Sequence, residues 1–181
     1  MLEADKKRSE NIIEYVLYMF HTEDVVRSCQ LNLDLINSAI ITPSGLEKEQ
    51  QAELLEWYKD LVGKMEKDNI EDRGHLQEVI EIIGELSYLH GRLISDAKND
   101  KYKSKYDAAN SYLVEISQKS SGSTLNPIEL ALNGVYGVMT LKMKKQDVYP
   151  ETLEAVKTFT EFLTYLGKVY HLAKKGEFRL N

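Results

Sequence analysis

Cysteine is all but missing from this chain. Cys29 is the only one among 181 residues, so no internal disulfide can form and a reducing compartment is expected. Proline is nearly as scarce: Pro43, Pro127 and Pro150 each sit where a helix would begin or a loop would turn. Apolar runs are short, none near the roughly 18 residues a membrane span needs. The first ten residues, MLEADKKRSE, are charged throughout and hold no apolar stretch of the kind a secretory signal carries. An excess of positive charge is lacking as well. Lysine and arginine number 23 against 29 aspartates and glutamates, a net charge of −6 that removes the pull toward a phosphate backbone. One local basic stretch, Lys142 to Gln146, fits better as lysines facing the negative end of a helix. A soluble cytoplasmic protein is therefore expected, with neither a membrane nor a nucleic acid as partner.

Signatures of chemistry are also absent. There is no GxxxxGK[ST] loop, no GxGxxG after a strand and no GxSxG elbow, and no cofactor is expected. Ferritin-like di-metal sites require Glu-x-x-His pairs, yet none of the four histidines has a glutamate three residues before it. The nearest match pairs Asp72 with His75 at a helix start, where Asp72 is expected to cap. His171 reads as surface and His21 as partly exposed.

What the chain does have is helical periodicity almost throughout, with no sustained strand alternation. The fold class expected is all-α: a single-domain bundle of six to seven helices over residues 1–181. Flexible ends are expected at about 1–6 and 175–181, and a Ser/Gly loop at about 119–125. The first helix runs from Asp5 to Ser28, a short second one covers Asn32 to Ile41, and the breaker-rich TPSG stops it. Longer helices follow at Leu46–Asp68, with Leu54, Leu55, Trp57 and Tyr58 on its apolar, core-facing side, at Asp72–Ser95, with Val79, Ile80 and Ile83 toward the core, and at Lys101–Lys119. The sixth has the clearest start: Asn126 as cap, Pro127 in the first position and Glu129 closing a capping box. Beyond it the residues are apolar nearly all round, marking a buried helix in which close approach of a neighbour would compensate for Gly134 and Gly137. The seventh opens at Pro150 and runs to Lys174.

Two charges break the pattern of the first helix. Ile12, Val16, Met19 and Val26 share one narrow sector, yet Glu23 projects near its middle and Arg27 follows one turn later. An unpaired buried charge costs several kcal/mol, so each needs company. The two stand at the favourable i, i+4 spacing. His90 falls inside the apolar stripe of the fourth helix and offers a third member. A buried cluster of Glu23, Arg27 and His90 is expected, joined by Tyr15 or Tyr18. A register-fixing ion pair is the preferred reading, a ligand-binding or catalytic site the second.

A separate set of carboxylates could hold a metal. Glu53 and Glu56 stand three apart on one helix, and Glu78, Glu81 and Glu85 line the next, as in the ExxE and ExxD motifs of all-helical nucleotide pyrophosphohydrolases. Glu81 stands where that pattern has aspartate, and both sets point outward, which favours a solvated role. The tyrosines at 102, 106 and 112 suggest either a core edge or a protein-binding surface.

Three stretches together are distinctive: IIEYVLYMFHTEDVVRSC, GHLQEVIEIIGELSYLHGRL and GVYGVMTLKMKKQDVYPETLEAVKTFTEFLTYL. From about Asn11 to Tyr170 the chain resembles a bacterial family of helical proteins, domain of unknown function 4924. The likeness rests on Glu14, Tyr15, Leu17, Tyr18, Met19, Glu23, Asp24 and Arg27, on Leu89 and His90, and on Pro150, Glu151 and Thr152. It implies an all-α fold in a bacterial cytoplasm and no activity. The function expected is a non-enzymatic binding or assembly module that associates with itself or with a protein partner. The alternative is a metal-dependent enzyme acting on a nucleotide or other small molecule.

Overall fold

The computed structural model describes residues 2–95, 99–119 and 126–178. Most of the expected Ser/Gly loop, 120–125, and the last residues of the expected flexible end lie outside them. Among the described residues every regular element is helical and the fold is an all-α bundle. Eight α-helices appear where six to seven were expected: α1 (Glu3–Glu10), α2 (Ile12–Ser28), α3 (Leu33–Ile36), α4 (Lys48–Lys67), α5 (Gln77–Ser95), α6 (Asp100–Lys119), α7 (Pro127–Met143) and α8 (Pro150–Lys174).

The extra helix arises because the first segment breaks at Asn11. The Asn11 side chain accepts the Glu14 N–H at 3.3 Å and donates to the Glu14 carboxylate at 2.8 Å, a local cap that restarts the helix. The Ile12 N–H turns away to Nε2 of His171, 3.0 Å distant. Asn32 caps α3 through the Asp34 and Leu35 amides. The chain then widens into a π-turn at Asn37–Ile41, tightens at Thr42–Ser44 and stops at Gly45 with φ of 73°. Only glycine takes that conformation without strain.

By contacts the chain divides into two compact units, Met1–Lys6 with Tyr18–Glu81, and Lys7–Leu17 with Ile82–Asn181. In the first, Val26, Ile36, Ile41, Leu61, Met65, Leu76 and Val79 are buried. Helix α4 buries Tyr58, Leu61, Val62 and Met65, and leaves Leu54, Leu55 and Trp57 half-exposed rather than in the core. In the second unit α8 packs along α6 and α7. Its fully buried Phe159 and Phe162 fill the middle, with Leu86, Tyr102 and Leu132.

Two expectations about apolar faces are corrected here. Helix α7 is buried along its first half, at Ile128, Leu130, Ala131 and Leu132, but its end emerges and Met143 is half-exposed. The glycines differ accordingly. A methyl group on Gly134 would lie 2.9 Å from the Phe159 ring, so close approach explains that glycine; nothing lies within 4 Å of the same position on Gly137. Ile80 of α5, expected in the core, is half-exposed, and Ile82 is buried in its stead.

Candidate functional site

The wrong-face charges of α2 belong to the first unit, and the structure supplies each with partners. Glu23 is fully buried. Its carboxylate accepts the Leu76 backbone N–H at 2.9 Å and lies 2.6 Å from Nδ1 of His75. These groups stand at the start of α5, which opens at Gln77 and not at Asp72 as expected. Leu76 immediately precedes that start and has no side-chain oxygen to satisfy the first amides of the helix. Glu23 therefore performs from another helix the capping role expected of Asp72. A carboxylate in that place also meets the positive end of the α5 dipole.

Arg27 does not pair with Glu23. Its Nη1 donates to Asp24 at 3.1 Å, Nε and Nη2 reach the Ile70 carbonyl at 3.3 and 3.2 Å, and Nη2 reaches the Gly74 carbonyl at 2.5 Å. The planar guanidinium thereby spans two carbonyls of the segment joining α4 to α5. That segment needs such anchoring. Asn69 (φ 54°) and Gly74 (φ 101°) both hold left-handed backbone, and the Ile70 N–H closes the end of α4 on the Met65 carbonyl at 3.0 Å. One face of α2 thus clips a whole connection: Arg27 grips its middle and Glu23 its end.

His90, expected as the third member, is engaged elsewhere, within the second unit. Its Nδ1 lies 2.7 Å from the Tyr102 hydroxyl, and its ring meets Tyr102 and Tyr106 edge-on at 5.7 and 4.6 Å. Burial holds the His90 pKa below the ordinary histidine value and pushes the Tyr102 phenol up. Tyr15, buried in the second unit, lies under the Arg8 guanidinium at 5.4 Å, whereas Tyr18 faces Trp57 in the first. The hydrogen bonds thus bring Glu23 together with His75, and not with Arg27 or His90.

The His75 ring is held on two sides. Phe20, one turn before Glu23 on α2, stacks against it with centroids 3.9 Å apart and planes within 15°. An ionised carboxylate only accepts, so against an ionised Glu23 the proton of a neutral His75 ring sits on Nδ1 and the lone pair on Nε2. A histidine oriented by a buried carboxylate is half of an acid–base device. The other half, a nucleophile bonded to Nε2, has no counterpart among the described residues.

Four of the five outward carboxylates pair with neighbouring side chains instead of converging, and the fifth, Glu53, lines a cleft. Glu56 meets Lys59 at 3.4 Å, Glu78 meets Lys64 at 3.7 Å, and Glu81 accepts from Gln77 at 3.2 Å. Glu85, in the second unit, accepts from Lys174 at 2.8 Å and from the Tyr170 hydroxyl at 2.6 Å, contacts that lower its pKa. Among the described residues no group of three or more His, Cys, Asp or Glu side chains could hold a metal ion.

The first unit also contains a cleft of about 250 Å³. Tyr18, Leu54 and Trp57 form much of its apolar lining, with Leu46 nearby and Gln50, Glu53 and Glu3 supplying polar groups. On α4 these residues recur at helical spacing along one side. Trp57 lies edge-on to buried Tyr58, centroids 5.0 Å apart, and 6.4 Å from Tyr18. Periodicity assigned Trp57 and Leu54 to the core because it registers only that a face is apolar. Likewise nothing in the spacing of His75 announced Glu23; the one hint was an apolar residue, Leu76, where a helix start wants an acceptor.

Residues 1–177 match the family described as Domain of unknown function (DUF4924), and the chain belongs to it. No curated protein and no solved structure matches the chain.

Proposed function

We propose that this member of the DUF4924 family is a binding module whose cleft beside Trp57 receives one apolar side chain of a protein partner, flanked by basic residues. The observation that carries the reading is the placement of Trp57. The chain's only tryptophan stays half-exposed on the wall of a cleft, a position favoured in recognition because one end of the ring is apolar and the other wet. Glu3 and Glu53 among the lining residues and the net charge of −6 favour a basic flank on the incoming segment.

A cleft of 250 Å³ admits about ten non-hydrogen atoms. At about 0.3–0.5 kcal/mol each, the affinity expected is roughly millimolar. The test uses Trp57 as reporter. A tetrapeptide of two lysines around leucine and phenylalanine should shift its fluorescence saturably, and Leu54→Glu should remove the response. An unchanged spectrum through the millimolar range would refute the reading. The lone cysteine and the lack, among the described residues, of a helix long and apolar enough to cross a membrane support a cytoplasmic setting.

Self-association is a second reading, favoured by the α7–α8 connection of the second unit. Met143, Tyr149 and Leu153 are exposed there, Tyr149 to 79%. Sedimentation should detect dimers that Tyr149→Ser dissociates; a monomer at high concentration counts against it. The enzymatic alternative is weakened by outward carboxylates bonded to lysine and glutamine side chains.

A further inference from the structure

We propose that His75 is a phosphoryl-acceptor histidine, taking a phosphoryl group on Nε2 from a donor with a reactive N–P or acyl–phosphate bond while Glu23 holds Nδ1. The proposal is independent of the cleft beside Trp57.

The chemistry asks for one ring nitrogen that is nucleophilic and reachable and another that keeps its proton. Glu23 provides the second condition through its 2.6 Å contact with Nδ1, and the stacked Phe20 fixes the plane in which Nε2 points. The first condition follows from the burial pattern. The His75 side chain is 32% exposed; among the described residues Nε2 has no partner, and the only buried side-chain nitrogen or oxygen left without one is Thr140 Oγ1. Nε2 therefore reaches water. No other histidine combines these features. His171 gives its Nε2 to the Ile12 amide, His90 binds a tyrosine hydroxyl instead of a carboxylate, and among the described residues no carboxylate holds His21.

The surroundings suit an incoming dianion. The Arg27 guanidinium sits on the carbonyl of Gly74, the residue before His75. The 19-residue helix α5 begins two residues later, and its dipole offsets part of the negative charge of the Glu23 carboxylate that caps it. The openness of the place separates this role from ordinary catalysis. His75 does not line the cleft beside Trp57, and with its side chain 32% exposed a bound substrate there would not be enclosed from water. An acceptor needs no enclosure of its own, because the donor's site can supply it.

In the step itself the Nε2 lone pair attacks phosphorus, and the bond from phosphorus to the donor's nitrogen or oxygen breaks. The leaving group departs with that electron pair. The ring becomes an Nε2-phosphoryl imidazolium that retains the Nδ1 proton, with its new positive charge against the Glu23 carboxylate. Hydrolysis or onward transfer returns the neutral ring with Nδ1 still protonated. Glu23 is a positioning residue here, since it acts through His75.

The test incubates the full chain with phosphoramidate in one arm and acetyl phosphate in the other, and maps acid-labile phosphoryl adducts by mass spectrometry. His75 should be labelled first in at least one arm, with His21, His90 and His171 as internal controls. Whichever arm succeeds assigns the donor bond. In Glu23→Gln the side-chain amide would donate to Nδ1 and move the ring proton to Nε2, so labelling should fall roughly a hundredfold or more. The imidazole ¹⁵N spectrum should show that tautomer change in a chain that remains folded. Labelling of His75 no faster than of the control histidines in both arms overturns the proposal, and so does wild-type labelling in Glu23→Gln.

Discussion

Replacing Glu23 by alanine exposes the role of its carboxylate most directly. The change leaves the Leu76 N–H, 2.9 Å from the lost oxygen, without a partner in a place sealed from water. An orphaned buried donor costs about 1–3 kcal/mol. Losing one packed methylene adds about 0.8 kcal/mol, and the charge-assisted bond to His75 about 1 kcal/mol, the smaller end because that ring can turn to water. The sum is near 4 kcal/mol, or roughly 8–16 °C in melting temperature for a chain of this size. Glutamine should behave differently. Its carbonyl can keep the Leu76 bond and its amide can donate to a His75 ring that has changed tautomer, so only the charge assistance is lost, about 1–2 kcal/mol. Urea unfolding of both variants checks the pair. An alanine variant within about 0.5 kcal/mol of wild type would refute burial of the carboxylate. Equal losses in the two variants would refute the double-acceptor geometry.

The remaining predictions concern other parts of the molecule. Gly134→Ala should destabilise by about 1–3 kcal/mol because its methyl would press on the buried Phe159 ring, whereas Gly137→Ala, in open space, should stabilise by about 0.5–1 kcal/mol; thermal denaturation of the two separates packing from helix propensity. Arg27→Lys should cost about 1–2 kcal/mol, since one ammonium cannot reach both the Ile70 and Gly74 carbonyls, and amide exchange should speed up over residues 70–75. Burial depresses the pKa values of His90 and His171, the latter with help from Lys175. Below about pH 6.5 the unfolded chain therefore takes up protons that the folded one resists. Stability should fall as pH drops from about 6.5 through the depressed folded values and then level off for these groups, and His90→Gln should flatten the slope. At the alkaline end, burial and the neighbouring Tyr18 and Cys29 push the Tyr58 phenol up to about 12. Stability should decline above pH 10, where unfolded tyrosines ionise first, a trend that absorbance-monitored titration can follow.

How much was legible beforehand varied with the range of the interaction. Asn126 with Glu129 announced the start of α7, and the structure has that capping box, with the Asn126 side chain accepting both the Ile128 and Glu129 amides. Asn11 with Glu14 is the same kind of signal at the same spacing, standing where the charged opening residues give way to the apolar run. The start of α5 was misplaced by five residues because the acceptor that caps it lies on α2, out of reach of any local motif.

Taken alone, the chain determined the all-helical class, most helix bounds and the fact that Glu23 needs a partner inside the protein. These follow from angles along one helix and from contacts within one turn, where spacing in sequence is spacing in space. Which partner it has was decided only by tertiary structure. His75 and Leu76 stand 52 and 53 residues away, so their meeting with Glu23 depends on how a whole connection folds back across α2. Helical periodicity carries a direction around an axis but not the identity of the neighbour found there. For the same reason the exposure of Trp57 and the divergence of Arg27 and His90 from Glu23 emerged only once the elements were packed.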